Sequence, residues 1–186
     1  VNLIGSQAEN MIVSTFHSFC YKFLKEEISN LKEFPNNFAI IDGVDQDNTL
    51  REIYKSIEIS KNMLPFQVIK EYISSNKNKY ISPETIFEKN NELNIVDEIE
   101  LLKAKIYHEY QKTLINSHSL DFDDLLVKTV ELFRYCPDVL ENYQNRFRYI
   151  MVDEYQDTNT VQFEMIRLLA QKNRNLCVVG DDDQSI

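Results

Sequence analysis

Glycine is nearly absent from this chain of 186 residues, occurring only as Gly5, Gly43 and Gly180. A loop that cradles phosphates with backbone N–H groups needs the run G-x-x-x-x-G-K-[ST]. No such run is present, so the chain brings no P-loop of its own. No apolar run approaches the ~20 residues of a membrane-spanning helix, so no transmembrane segment and no membrane partner are expected. Val1 is not an initiator methionine and nothing behind it resembles a signal peptide, so the chain reads as an excised piece of a longer one. The three cysteines, Cys20, Cys136 and Cys177, lie far apart in apolar surroundings without CxxC spacing. That excludes an obvious zinc or disulfide framework and predicts buried, reduced thiols in a cytoplasmic protein. Positive charge is also short: the formal net charge is −10. A nucleic-acid partner needs a basic face, which such a chain can offer only as a local groove.

A hydrophobic content of 43% beside 27% charged residues is that of a soluble globular protein, and the length suits one domain with a sizeable insertion. Met11–Thr15 reads as a short buried strand leading into a helix from His17 to about Leu31, closed by Pro35. The middle is helical and polar between apolar stripes. Phe38–Asp42 reads as a short strand or extended run. Asp45 reads as the cap of a helix to about Ile59, and Pro65 opens another that ends near Ser74. Ser74–Lys79 reads as an exposed loop, and Ser82-Pro83-Glu84 starts a further helix. A long helix follows over 95–116, then Asp121 to about Tyr135, then Pro137 to about Tyr143. After residue 145 the pattern becomes strand (148–153), helix (160–171), strand (175–180), a βαβ unit.

Both of those strands read as buried, and each runs into acid. Tyr149-Ile150-Met151-Val152 leads to Asp153-Glu154-Tyr155-Gln156-Asp157-Thr158-Asn159. Leu176-Cys177-Val178-Val179 leads to Gly180-Asp181-Asp182-Asp183-Gln184-Ser185-Ile186. Carboxylates at the ends of parallel strands are where nucleotide-handling α/β proteins hold Mg²⁺ and activate water. An acidic pair alone more often just opens a loop. Two such strings one βαβ step apart make the catalytic reading the stronger.

These strings, with Thr15-Phe16-His17-Ser18-Phe19-Cys20 and Leu120-Asp121-Phe122-Asp123-Asp124-Leu125-Leu126, resemble motifs of superfamily 1 DNA helicases of the UvrD/PcrA/Rep type. The first is similar to helicase motif II and the second to the start of motif III, all four in the family's order from residue 15 to 186. The resemblance implies an α/β, mostly helical fold: part of a RecA-like parallel sheet without its P-loop strand, plus an inserted all-helical subdomain. Residues 1–18 and 146–186 would belong to the first RecA-like motor domain and 19–145 to the insertion. It implies a fragment of an ATP-dependent 3′-to-5′ DNA helicase, using ATP and Mg²⁺ on single-stranded and forked DNA beside the remaining helicase domains, in settings such as DNA repair. Asp153 would ligate Mg²⁺, Glu154 would be the catalytic base, and Gln184 would touch the γ-phosphate with Asp181 in its polar network. Thr15, Phe16 and His17 would meet the single strand. Motif I and the second motor domain are absent, so the isolated chain is expected to be inactive.

Bland alternatives stand beside these assignments. Asp121 reads more simply as a helix cap, with Asp123 and Asp124 favouring the same helix N-terminus, than as a metal cluster. Lys70, Lys77 and Lys79, interleaved with Tyr72 and Tyr80, read as a solvated surface or as a contact to duplex DNA. The chain as a whole could be a non-catalytic DNA- or protein-interaction module. A metal-dependent nuclease ranks below both, because the D/E-x-K string of common nuclease cores does not occur.

Overall fold

The computed structural model describes residues 11–35, 37–93 and 97–181. The elements are α1 (Phe16–Glu27), β1 (Ala39–Ile40), α2 (Gly43–Ser56), α3 (Phe66–Asn78) and α4 (Pro83–Leu93). There follow α5 (Glu98–Asn116), β2 (Ser119–Leu120), α6 (Phe122–Tyr135), α7 (Pro137–Arg146), β3 (Ile150–Val152), α8 (Thr160–Ala170) and β4 (Leu176–Val178). The fold is mostly helical with two small parallel strand pairs, β1 with β2 and β3 with β4. Among the described residues no helix is long and apolar enough to cross a membrane.

Side-chain caps fix where the helices begin. Met11–Thr15 forms no strand; instead Thr15 caps α1, its hydroxyl oxygen accepting the Ser18 N–H at 3.2 Å. The helix therefore starts at Phe16, before His17, and a short 3₁₀ turn over Ile28–Asn30 replaces its last expected turn. Asp42, not Asp45, caps α2; Asp45 is the third helical residue, returning the bond to the Asp42 N–H in a capping box. The same reciprocal arrangement opens α6 (Asp121 with Asp124) and α8 (Asn159 with Gln162). Ile95, expected on the buried stripe of the long helix, lies outside the described residues, and Ile99 is exposed.

Two apolar clusters form the core. One joins α1, α6, α7 and α8 through Cys20, Phe23, Phe133, Tyr143, Met165 and Leu169. The other joins α2, α3 and α5 through Leu50, Tyr54, Ile69, Ile106 and Tyr110. The βαβ unit is present as β3–α8–β4, but its strands are not buried as the apolar runs suggested. Ile150 packs on the first cluster and Val152 is buried, while Met151 on the other face is 75% exposed and all of β4 is open to solvent. Among the described residues only one face of β3 is covered. Cys177 on β4 is accordingly exposed, Cys136 half-buried and Cys20 buried; all three are free thiols.

The largest departure from the sequence reading is at Ser74–Lys79. The polar run is no exposed loop: α3 continues through it to Asn78, because Lys77 falls four residues after Ile73 on the same buried face. Lys77 Nζ lies 2.7 Å from Asp121 Oδ2 and 2.8 Å from Asp124 Oδ1, with all three side chains at most 2% exposed. From α5, the Tyr110 hydroxyl donates to Asp121 at 3.0 Å and Gln111 Nε2 donates to Asp124 at 3.1 Å. Burial disfavours every charge here. For Lys77 the two carboxylates outweigh it and raise the pKa; for Asp121 the ammonium at contact outweighs it and lowers the pKa. Burial and the neighbouring Asp121 push Asp124 up to about 6.

Removing the cation leaves two uncompensated buried carboxylates. Lys77→Met should cost about 3–5 kcal/mol at pH 7 in urea unfolding, and a loss below about 1 kcal/mol would contradict this assignment. The acid–base sign is equally specific. Asp124 titrates above its unfolded value of about 3.9, so the fold favours its protonated form. That contribution is complete below about pH 4 and fades as the pH rises through about 6. Asp124→Asn should flatten the stability curve between pH 5 and 7, and an unchanged slope would refute the shift.

Candidate active site

The two acidic strings meet because β3 and β4 are parallel and in register, Val152 opposite Val178. Their C-terminal ends therefore open on the same side. The ladder continues beyond the strands: the Val179 N–H donates to Val152 O at 2.8 Å and the Tyr155 N–H to Val179 O at 2.9 Å. Asp153 and Glu154 are thus placed beside Gly180 and Asp181.

Asp153 and Glu154 are both exposed, and Asp153 Oδ1 accepts the Glu154 N–H at 3.0 Å. Glu154 holds a left-handed backbone conformation (φ 50°, ψ 44°), unfavourable for a residue with a Cβ. This turn reverses the chain directly after the strand and precedes a single 3₁₀ turn over Tyr155–Asp157. Strain of this kind concentrates at functional positions. Asp153 offers one hard oxygen donor at a strand end; hydrated Mg²⁺ takes one or two such carboxylates and completes its shell with phosphate oxygens and water. The residues present therefore fit that ion. Gln184, the expected γ-phosphate contact, lies outside the described residues.

Gln156 was not singled out in the sequence, yet it lies between the two strings. Its Nε2 donates to Glu154 Oε2 at 2.7 Å and its Oε1 accepts the Asp181 N–H at 3.0 Å. A Cβ at Gly180 would stand 2.7 Å from Gln156 Oε1, so a larger residue there would require the end of that side chain to shift.

Thr15, Phe16 and His17 sit together at the start of α1, apart from the acidic pair. Thr15 is exposed and spends its hydroxyl on the helix cap, while Phe16 packs against the first apolar cluster. The His17 ring stacks on Phe122 with centroids 4.1 Å apart, and its buried Nε2 has no hydrogen-bond partner. Burial lowers the His17 pKa against the opposing pull of Asp123. The ring is therefore neutral at pH 7, suited to stacking and hydrogen bonding rather than to pairing with a phosphate charge. Thr15, His17, Tyr21, Lys25, Phe38 and Phe122 are among the residues lining a cavity of about 400 Å³.

A polar chain connects this region to the acidic strings. Asn78 Nδ2, at the end of α3, donates to Asp123 Oδ1 at 3.4 Å, and Asn159 Nδ2 donates to Asn78 Oδ1 at 2.5 Å. Asn159 is also the α8 cap and the last residue of the first string. The lysine surface does not survive as expected. Lys77 is buried in its ion triad and Lys70 pairs with Asp47 at 2.7 Å, while Lys79 is exposed. Tyr72 and Tyr80 are half-buried beneath Lys103 and Arg134.

Known proteins match the whole length of this chain. The UvrD/REP helicase N-terminal domain family matches residues 2–186. A protein named ATP-dependent DNA helicase PcrA from Staphylococcus epidermidis is 40% identical over 185 residues, covering 100% of this chain and 25% of that protein. Its namesake from Staphylococcus aureus is 41% identical over 184 residues, 99% of this chain and 24% of that protein. The chain thus spans about a quarter of the length of the curated relatives it matches.

The left-handed turn at Glu154 carries a stability test. Glu154→Gly should raise stability by about 0.5–1 kcal/mol, because glycine adopts this conformation without the Cβ penalty. A loss greater than about 1 kcal/mol in urea unfolding would show that the side chain, not the turn, dominates there.

Proposed function

The chain belongs to the UvrD/REP helicase N-terminal domain family, and on that footing we propose that it is part of the motor of an ATP-dependent DNA helicase. The observation that carries this reading is the convergence of Asp153, Glu154 and Asp181 at the C-terminal ends of two parallel, in-register strands. When bound there, Mg²⁺ supplies charge neutralisation to the phosphates of ATP. Asp153 would hold the ion. Glu154 takes the proton of the water that attacks the γ-phosphate, and Gln184 contacts that phosphate. Asp181 belongs to the polar network behind Gln184.

Thr15, Phe16 and His17 are the proposed single-strand contact, by stacking and hydrogen bonds. The connection Asn159–Asn78–Asp123, with Phe122 stacked on His17, gives this contact a physical route to the nucleotide motif. We assign β3, α8 and β4, with α1, α6 and α7 on the same apolar cluster, to the RecA-like motor domain, and α2–α5 to the inserted helical subdomain. That draws the insertion more narrowly than residues 19–145. The preferred substrates in this reading are single-stranded and forked DNA, moved along with 3′-to-5′ polarity in a cytoplasmic protein. The sequence carries no P-loop, so turnover belongs to the full-length protein and its other helicase domains rather than to this chain alone.

In the full-length protein, Glu154→Gln should lower DNA-stimulated ATP turnover by about 100-fold or more while ATP still binds. Steady-state hydrolysis and equilibrium nucleotide binding check this together, and near-normal turnover would remove Glu154 from the role of base.

A further inference from the structure

Gln156 carries no role in the scheme above, yet its side chain spans the gap between the two strand-end segments. One planar amide is used at both ends: Nε2 donates to the Glu154 carboxylate at 2.7 Å, and Oε1 accepts the Asp181 N–H at 3.0 Å. The first contact is to a side chain and the second to the backbone that follows β4. Gly180 closes the arrangement, since a Cβ there would stand 2.7 Å from the amide oxygen. The two segments are therefore joined twice, by the Tyr155–Val179 ladder bond of 2.9 Å and by this amide.

We propose that Gln156 is a positioning residue that fixes the Glu154 carboxylate and makes its orientation depend on where the Gly180–Asp181 backbone stands. The proposal rests on the assignment of Glu154 as the base. An exposed glutamate side chain has three rotatable bonds and no preferred direction of its own. A base has to stand within about 2.6–3.2 Å of the proton it takes, or one water away. The left-handed backbone of Glu154 sets the starting direction of its side chain, and the charge-assisted bond from Gln156 holds its end. Because the same amide is held by the Asp181 N–H, a shift of that backbone by a fraction of an ångström strains or breaks one bond and loosens the other. The segment that leads to Gln184 is thereby able to report its position to the base without touching it.

The test separates the two ends of the amide in the full-length protein. Gln156→Leu removes both bonds. It should lower kcat for DNA-stimulated ATP hydrolysis by about tenfold or more with KM for ATP within about twofold, and speed Asp181 amide exchange in the nucleotide-free protein by about fivefold or more. Gln156→Glu keeps an oxygen for the Asp181 N–H but sets a carboxylate against Glu154. Its kcat should fall like that of the leucine variant while Asp181 exchange stays near wild type. A merely structural role would move both readouts together. A leucine variant with kcat within about twofold of wild type, or with Asp181 exchange unchanged, overturns the proposal, provided Glu154→Gln abolishes turnover. If Glu154→Gln turns over normally, the base assignment itself has failed and the proposal falls with it.

Discussion

The ion triad of Lys77, Asp121 and Asp124 is the interaction on which the rest of the structure depends. It joins the end of α3, the middle of α5 and the first turn of α6 at a point closed to water. The two apolar clusters on either side draw their buried members from different helices, with Ile115 at the end of α5 also packing on the first. A buried ion triad contributes little net stability over apolar residues of the same shape, and breaking it is costly. Its effect is therefore on geometry. With Lys77 fixed, the next residue, Asn78, is held where it bonds both Asp123 and Asn159. The end of α3, the middle of α5 and the starts of α6 and α8 meet at this one place.

The helical periodicity was largely legible in the sequence, but of the caps at Thr15, Asp42, Asp121 and Asn159 only Asp121 was read as one. Asp121 was read as a cap, and its side chain does cap α6. What a local reading misses is partnership at a distance. Ser74–Lys79 is polar enough to pass for a loop, and Lys77 has its partners 44 and 47 residues further on. The spacing Ile69, Ile73, Lys77 was the available signal, and it is weak because a lysine on an apolar face is usually an end of the face. Strand burial failed for a related reason. The alternation of Ile150, Met151 and Val152 was masked by their common apolar character, so the exposed face of β3 was invisible.

The candidate site divides in the same way. Asp153, Glu154 and Asp181 were proposed from their strings, because parallel, in-register strands bring the residues after their ends together. Gln156 was not found, because a glutamine inside an acidic string has no pattern of its own. Its importance lies in a bond to a backbone N–H 25 residues away. The strained turn at Glu154 and the bare Cα of Gly180 are two sides of one arrangement. The turn sets the start of the Glu154 side chain, and the Gln156 amide that holds its end lies against Gly180. The proposed single-strand contact is less completely built, with His17 stacked and neutral beside a cavity.

The most direct measurement is single-strand-stimulated ATP hydrolysis by this chain and by the full-length protein, side by side. The account predicts no turnover from the chain and DNA-stimulated turnover from the full-length protein, because the strand-end acids need a phosphate cradle that this sequence does not carry. Silence in both would contradict the motor assignment and leave a binding module in its place.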